Sequence, residues 1–129
     1  MATTSIKQKI KSFNDLLVWQ KGHLLVIDIY KTTKTFPREE LYSLGDQIRR
    51  AAVSVTSNIA EGFGRAGYKE KTQFYYLAKG SLTEIKNQLF ISRDVGYISY
   101  KKFENLMDKS NEVDKLLQGL IKSTKKYYA

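Results

Sequence analysis

The stretch QIRRAAVSVTSNIAEGFGR, residues 47–65, decides the fold. Together with Leu44 just before it, Ile48, Ala51, Ala52, Val55, Ile59, Gly62 and Phe63 recur at three- and four-residue steps, which places them on one stripe of a helix. That stripe reads as a core face. Beside it Gln47, Arg50, Ser54, Asn58, Glu61 and Arg65 repeat at the same steps and form a parallel row of polar groups. Solvated helix faces are rarely so ordered. The row reads as a surface built to meet a neighbouring subunit or a charged ligand.

Outward from this stretch the chain continues as helix. Its one proline is Pro37, and no segment of any length alternates as a strand would. A first helix is expected over about residues 15–34, with Asn14 as N-cap and Trp19, His23, Val26, Ile27 and Tyr30 on one side, ended by Phe36 and Pro37. The second begins near Leu44 behind Ser43 as N-cap, with Asp46 three residues on, and ends at Gly62, Gly64 and Gly67. The third covers about residues 68–95. Phe74, Leu77, Ala78, Ser81, Leu82, Ile85 and Leu89 form its inward face, and Gly96 follows its C-terminus. Gly80 in its middle costs about 1 kcal/mol of helix propensity, so a close backbone approach is its expected justification. The fourth follows Ser99 as N-cap, with Phe103, Leu106, Met107, Val113, Leu116, Leu117, Leu120 and Ile121 inward and Lys125 and Lys126 complementing its C-terminal dipole. Short connections make neighbours antiparallel. The fold class is all-α, an antiparallel up-down-up-down four-helix bundle over residues 13–129 behind a flexible basic lead-in, 1–12.

Composition sets outer bounds. At 129 residues the chain is one domain by length, and with no cysteine it offers neither disulfides nor thiolate metal ligands, which fits a cytoplasmic location. The N-terminus lacks the apolar region of a signal peptide. The longest chargeless apolar-rich run, residues 51–60, is too short to span a bilayer, so no membrane association is expected. A formal charge of +9 favours polyanionic partners by counterion release, yet the surplus is spread along the chain with no dense basic arm. A merely solubilising lysine surface explains the same charge.

The polar residues argue against an enzyme. His23 is the only histidine, and no Glu-x-x-His occurs, which removes di-iron bundle chemistry; no metal or other cofactor is expected. The glycines of EGFGRAG follow a helix rather than a strand and lack the Gly-Lys-Ser/Thr ending of a P-loop. Glu61 and Glu84 flank core faces on consecutive helices and could serve as acid and base, but Arg49, Arg50 and Arg65 are at hand to hold them in an ion network. The site expected here is therefore a polar network or subunit interface of Gln47, Arg49, Arg50, Asn58, Glu61, Arg65 and Glu84. A second candidate joins tyrosines to lysines. Tyr68, Tyr75, Tyr76, Tyr97, Tyr100, Tyr127 and Tyr128 lie among Lys69, Lys71, Lys79, Lys101 and Lys102, the lysines expected to contact nucleic acid. Such aromatics suit stacking on unpaired bases and equally suit a subunit interface, which is the favoured reading for Tyr75 and Tyr76.

Four stretches carry a family resemblance: NDLLVWQKG, FPREELYSLGDQIRRAAVSVTSNIAEGFGR, LAKGSLTEI, and Leu89 through Ile98, together covering residues 13 to about 100. The sequence resembles the bacterial four-helix bundle family named for proteins encoded in intervening sequences of 23S ribosomal RNA genes. It departs from the commoner family form at Thr56, where proline is frequent, and at Gly67, where a helix-capping serine is frequent. The resemblance implies a bundle assembling into a ring, typically a pentamer, with a non-enzymatic role. The family is also similar to the accessory proteins of diversity-generating retroelements, basic pentameric barrels that bind a reverse transcriptase and nucleic acid, so RNA or DNA and a reverse transcriptase are partners by analogy. The expected function is a homo-oligomeric basic scaffold binding nucleic acid, most of all RNA or an RNA–protein complex. The alternative is a structural or protein-interaction module whose charge is incidental.

Overall fold

A computed structural model describes residues 9–128; residues 1–8 of the lead-in lie outside it. Four helices, α1 (Leu17–Thr33), α2 (Leu44–Phe63), α3 (Tyr68–Asp94) and α4 (Tyr100–Tyr128), are accompanied by short 3-10 turns at Phe13–Asp15 and Arg38–Glu40. No strand occurs among the described residues. Cross-helix contacts fix the direction of each helix. Gly62 of α2 lies against Tyr75 of α3 and Ser54 against Ser81, so numbers fall along one helix as they rise along the other. Phe90 with Phe103 and Tyr76 with Lys125 give the same sense for α3 and α4. Lys21 with Glu112 and Asp28 with Lys109 do so for α1 and α4, and Gly22 with Thr56 and Tyr30 with Arg49 for α1 and α2. Each helix therefore runs antiparallel to both its neighbours, and the bundle is up-down-up-down.

Capping follows part of the expected chemistry. Ser99 caps α4, its Oγ accepting from the Lys102 N–H at 3.0 Å, and Gly96 takes the left-handed conformation, φ +84°, that ends α3. Leu16 rather than Asn14 takes the N-cap position of α1, and Ser43 takes that of α2 without a side-chain hydrogen bond to the helix. A 3-10 turn precedes α1, where the Asp15 carboxylate accepts from the Lys11 and Ser12 N–H groups and is held below its usual pKa by those bonds. At α2 the Leu44 N–H meets the Glu40 carboxylate at 3.4 Å, while Asp46 turns to Arg50.

The core confirms the stripe on α2, where Leu44, Ile48, Ala51, Ala52, Val55, Ile59 and Gly62 are all buried, and on α4, where Ser110 fills the gap between Leu106 and Val113. Two faces are rotated from expectation. On α1 the inward residues are Val18, Gly22, Leu25, Val26, Ile29, Thr32 and Thr33; Ile27 and Tyr30 face out, His23 is exposed, and Trp19 stacks on His23 at 4.8 Å. That helix is apolar almost all round, so periodicity cannot set its phase. On α3 the inward row runs through Lys71, Tyr75, Ala78, Leu82, Ile85, Leu89 and Ser92, leaving Leu77 exposed and Phe74 and Ser81 half-buried.

Among the glycines the tightest approach to a neighbouring helix is at Gly62 rather than Gly80. A Cβ on Gly62 would sit 2.6 Å from Tyr75 Cε1 and 3.0 Å from the Lys71 carbonyl oxygen, whereas one on Gly80 would meet nothing within 4 Å. Gly62→Ala should therefore lower stability by about 1–3 kcal/mol through overpacking. Gly80→Ala should raise it by about 0.5–1 kcal/mol, because alanine restores helix propensity at an open position. Chemical denaturation of both variants checks the pair; equal effects would remove Gly62 from its role.

Candidate nucleic-acid interface

The polar row lies along the outer junction of α2 and α3. Asn58 Nδ2 donates to the Ser54 carbonyl at 2.8 Å and to Ser54 Oγ at 3.1 Å, and the Ser54 and Ser81 hydroxyls meet at 2.8 Å. Arg65 pairs with Glu61 at 3.1 Å and stacks on Phe74 at 4.8 Å, while Arg50 pairs with Asp46 at 3.1 Å. Arg49 donates to the Leu41 carbonyl; Gln47 stays exposed. The expected network joining Glu84 to these arginines does not form within the subunit. Glu84 is exposed and accepts from Gln88 Nε2 at 3.3 Å, because Asp46, one turn from Arg50 on α2, and Glu61, four residues before Arg65 in the connection after α2, engage those arginines first. The Ser54–Ser81 and Gly62–Tyr75 contacts also set Glu61 and Glu84 roughly 13 Å apart along the bundle axis.

The five lysines do not share a surface. Lys71 is buried, its Nζ donating to the Phe63 carbonyl at 2.7 Å, and desolvation lowers its pKa. There it satisfies a carbonyl at the C-terminus of α2, where a cation is favoured. Lys79 is held at 2.6 Å from Asp114 of α4, which Lys86 approaches at 3.1 Å on its other oxygen. Lys69 and Lys101 are exposed and Lys102 half-buried, but Lys69 starts α3 while Lys101 and Lys102 start α4. The first turns of antiparallel neighbours lie at opposite ends of a bundle. Tyr75, at 1% exposure, belongs to the core and not to an interface.

A different cluster emerges where α3 begins and α4 ends. Lys125 Nζ donates to the Tyr76 hydroxyl at 3.0 Å and lies 5.3 Å from that ring; Lys126 lies 5.6 Å from the ring of Tyr127. Tyr76 is 46% and Tyr127 74% exposed, and Lys69 and Lys122 are exposed at the same end. Lys21 opposite Glu112 puts Leu17 about one turn further along α4, so roughly the last three turns of α4 run past α1. Residues 115–129 contain four lysines and no acid, a signal legible in the sequence, although its juxtaposition with Tyr76 was not.

Fold and surface together define an antiparallel four-helix bundle with one basic, aromatic end. Among the described residues no group of three or more His, Cys, Asp or Glu side chains could hold a metal, and no helix is long and apolar enough to cross a membrane. The chain belongs to the 23S rRNA-intervening sequence protein family, whose model matches residues 14–119. Among solved structures it is similar to a protein of unknown function from the S23 ribosomal protein family of Bacteroides thetaiotaomicron. The TM-score is 0.77 at 23% identity, covering 82% of this chain and 96% of that one, a likeness of fold. No curated protein matches.

Asp114 yields the testable case here. Burial alone would raise its carboxyl, but hydrogen bonds from Lys79 and Lys86 outweigh it and hold the group below the usual carboxylate range. Such a group adds stability above its unfolded pKa, about 4, and loses it as pH falls through the folded value. Asp114→Asn should cost about 1–2 kcal/mol at neutral pH, between the values for exposed and buried pairs. Below about pH 4 the parent should lose more stability than the variant. Thermal melts across that range check it; parallel pH profiles would show that the two lysines contribute nothing.

Proposed function

We propose that this protein is a non-enzymatic, homo-oligomeric basic scaffold of the cytoplasm that binds nucleic acid, RNA or an RNA–protein complex above all. The observation that carries the reading is the projecting end of α3 and α4, where Lys69, Lys122, Lys125 and Lys126 gather without an acidic residue in the last fifteen positions of the chain. Cations so placed gain affinity for phosphates by counterion release. The family name adds support, since it ties its members to intervening sequences of ribosomal RNA.

Self-association draws on a separate face. Leu17, Leu24 and Ile27 stand on the outside of α1, with Leu24 59% exposed, while the outer face of α4 exposes no aliphatic side chain and, between Tyr100 and Tyr127 at its ends, carries positions such as Lys101, Asp108, Lys115 and Lys122. One helix thus presents aliphatic side chains to water and another does not. A second copy of the chain is the occupant that fits, and family resemblance suggests a ring, a pentamer in its usual form. The polar row and Glu84, lacking a cross-helix partner for its carboxylate, offer further contacts to such a neighbour.

Light scattering coupled to size exclusion should give a mass several times 14.9 kDa, and Leu24→Glu combined with Ile27→Glu should reduce it to that of one chain without unfolding the bundle. A parent that runs as a monomer at micromolar concentration would overturn the scaffold. Affinity for RNA should fall steeply with salt, and replacing Lys122, Lys125 and Lys126 by glutamine should reduce the slope by about 2–3. Absence of binding to RNA or DNA at low salt would favour a purely protein-interacting module.

A further inference from the structure

Resting on that reading of the α3–α4 end, we propose that its ligand is an unpaired strand, with bases stacked on Tyr76 and Tyr127 and phosphates on the lysines between them. Tyr76 is anchored across the helices by Lys125, and Tyr127 has its neighbour Lys126 beside its ring. Each ring has a lysine ammonium within 5.6 Å of its centroid, yet each is exposed, so a cation occupies part of the ring while the remainder is open to water. A ring that served only to pack would be covered, as Tyr75 one position away is.

Lys122 and Lys126 are one turn apart on α4, about 6 Å along the axis, so both can reach neighbouring phosphates of one backbone, and it is the open aromatic rings beside them that distinguish an unpaired strand from a duplex. Lys125 is fixed between them by its bond to Tyr76, on the side toward α3. A base stacked on an aromatic gains about 1–3 kcal/mol whatever its identity. In a duplex every base is already stacked and paired, so the tyrosines have no free base face to meet. Only the charge contribution then remains.

Fluorescence anisotropy tests this with a labelled uridine oligoribonucleotide and a duplex RNA of equal length, on the full chain. The single strand should bind at least about tenfold more tightly. Tyr76→Ala and Tyr127→Ala should each weaken strand binding by about 5- to 100-fold and leave duplex binding unchanged, while Tyr76→Phe retains the affinity because the ring persists. Lys125→Gln and Lys126→Gln should weaken both ligands and flatten the salt dependence. Far-ultraviolet circular dichroism establishes that each variant is folded. Equal affinity for strand and duplex, or alanine variants that weaken both alike, would overturn the stacking inference while leaving nucleic-acid binding in place. Binding to neither would overturn the proposed function as well.

Discussion

The contact of Gly62 with Tyr75 governs much of this bundle. A hydrogen in place of a methyl lets the Tyr75 ring lie directly on the α2 backbone, which draws the start of α3 against the end of α2. Ala51, Ala52, Ser54, Ala78 and Ser81 continue the same economy of volume along the two helices, ending in the hydroxyl contact of Ser54 with Ser81. At the same contact the Ala60, Glu61 and Gly62 carbonyls accept from the backbone of Gly64 and Arg65, and Lys71 reaches back to satisfy the next one at Phe63. Glycine, tyrosine and lysine act as one device. The turn between α2 and α3 is short because its ends are already held together.

That arrangement also explains how charge is distributed. Several lysines are taken into the structure: Lys71 on a helix terminus, Lys79 and Lys86 on Asp114 across α3 and α4, and Lys109 and Lys21 on Asp28 and Glu112 across α1 and α4. The paired lysines trade solvation for defined partners, so the positive field is weakened along the sides of α3. Lys122, Lys125 and Lys126 stand at the far end of α4, beyond Asp114, where no further acidic side chain occurs on that helix. The resulting surface owes its sign to where the acids stop rather than to any dense run of basic residues.

The surfaces divide by helix. The outside of α4 is polar between Tyr100 and Tyr127, the outside of α1 is apolar over Leu17, Leu24 and Ile27, and the junction of α2 and α3 carries small polar side chains bonded to one another. The faces around the bundle thus differ in chemistry, and the basic end of α4 lies away from the apolar side of α1.

The sequence by itself determined the four helices, the stripes on α2 and α4, the stop at Gly96 and the cap at Ser99, because each follows from local spacing and local hydrogen bonding. It also determined family membership and the pairing of Glu61 with Arg65, a contact between residues four apart in sequence. The phase of α1 was not legible: with apolar residues nearly all round, only packing against α2 and α4 could choose Val18, Leu25 and Ile29 over Trp19, Ile27 and Tyr30. Nor could the sequence tell Gly62 from Gly80, since their difference lies in what stands opposite. That the candidate lysines do not share one surface was hidden for the same reason. Lys69 and Lys101 look alike in the chain, yet antiparallel packing sends the starts of α3 and α4 to opposite ends and brings Lys125, 49 positions away, onto Tyr76. Tertiary structure decided every feature that depends on which helix faces which, because helical periodicity fixes angles about one axis and says nothing of distances between axes.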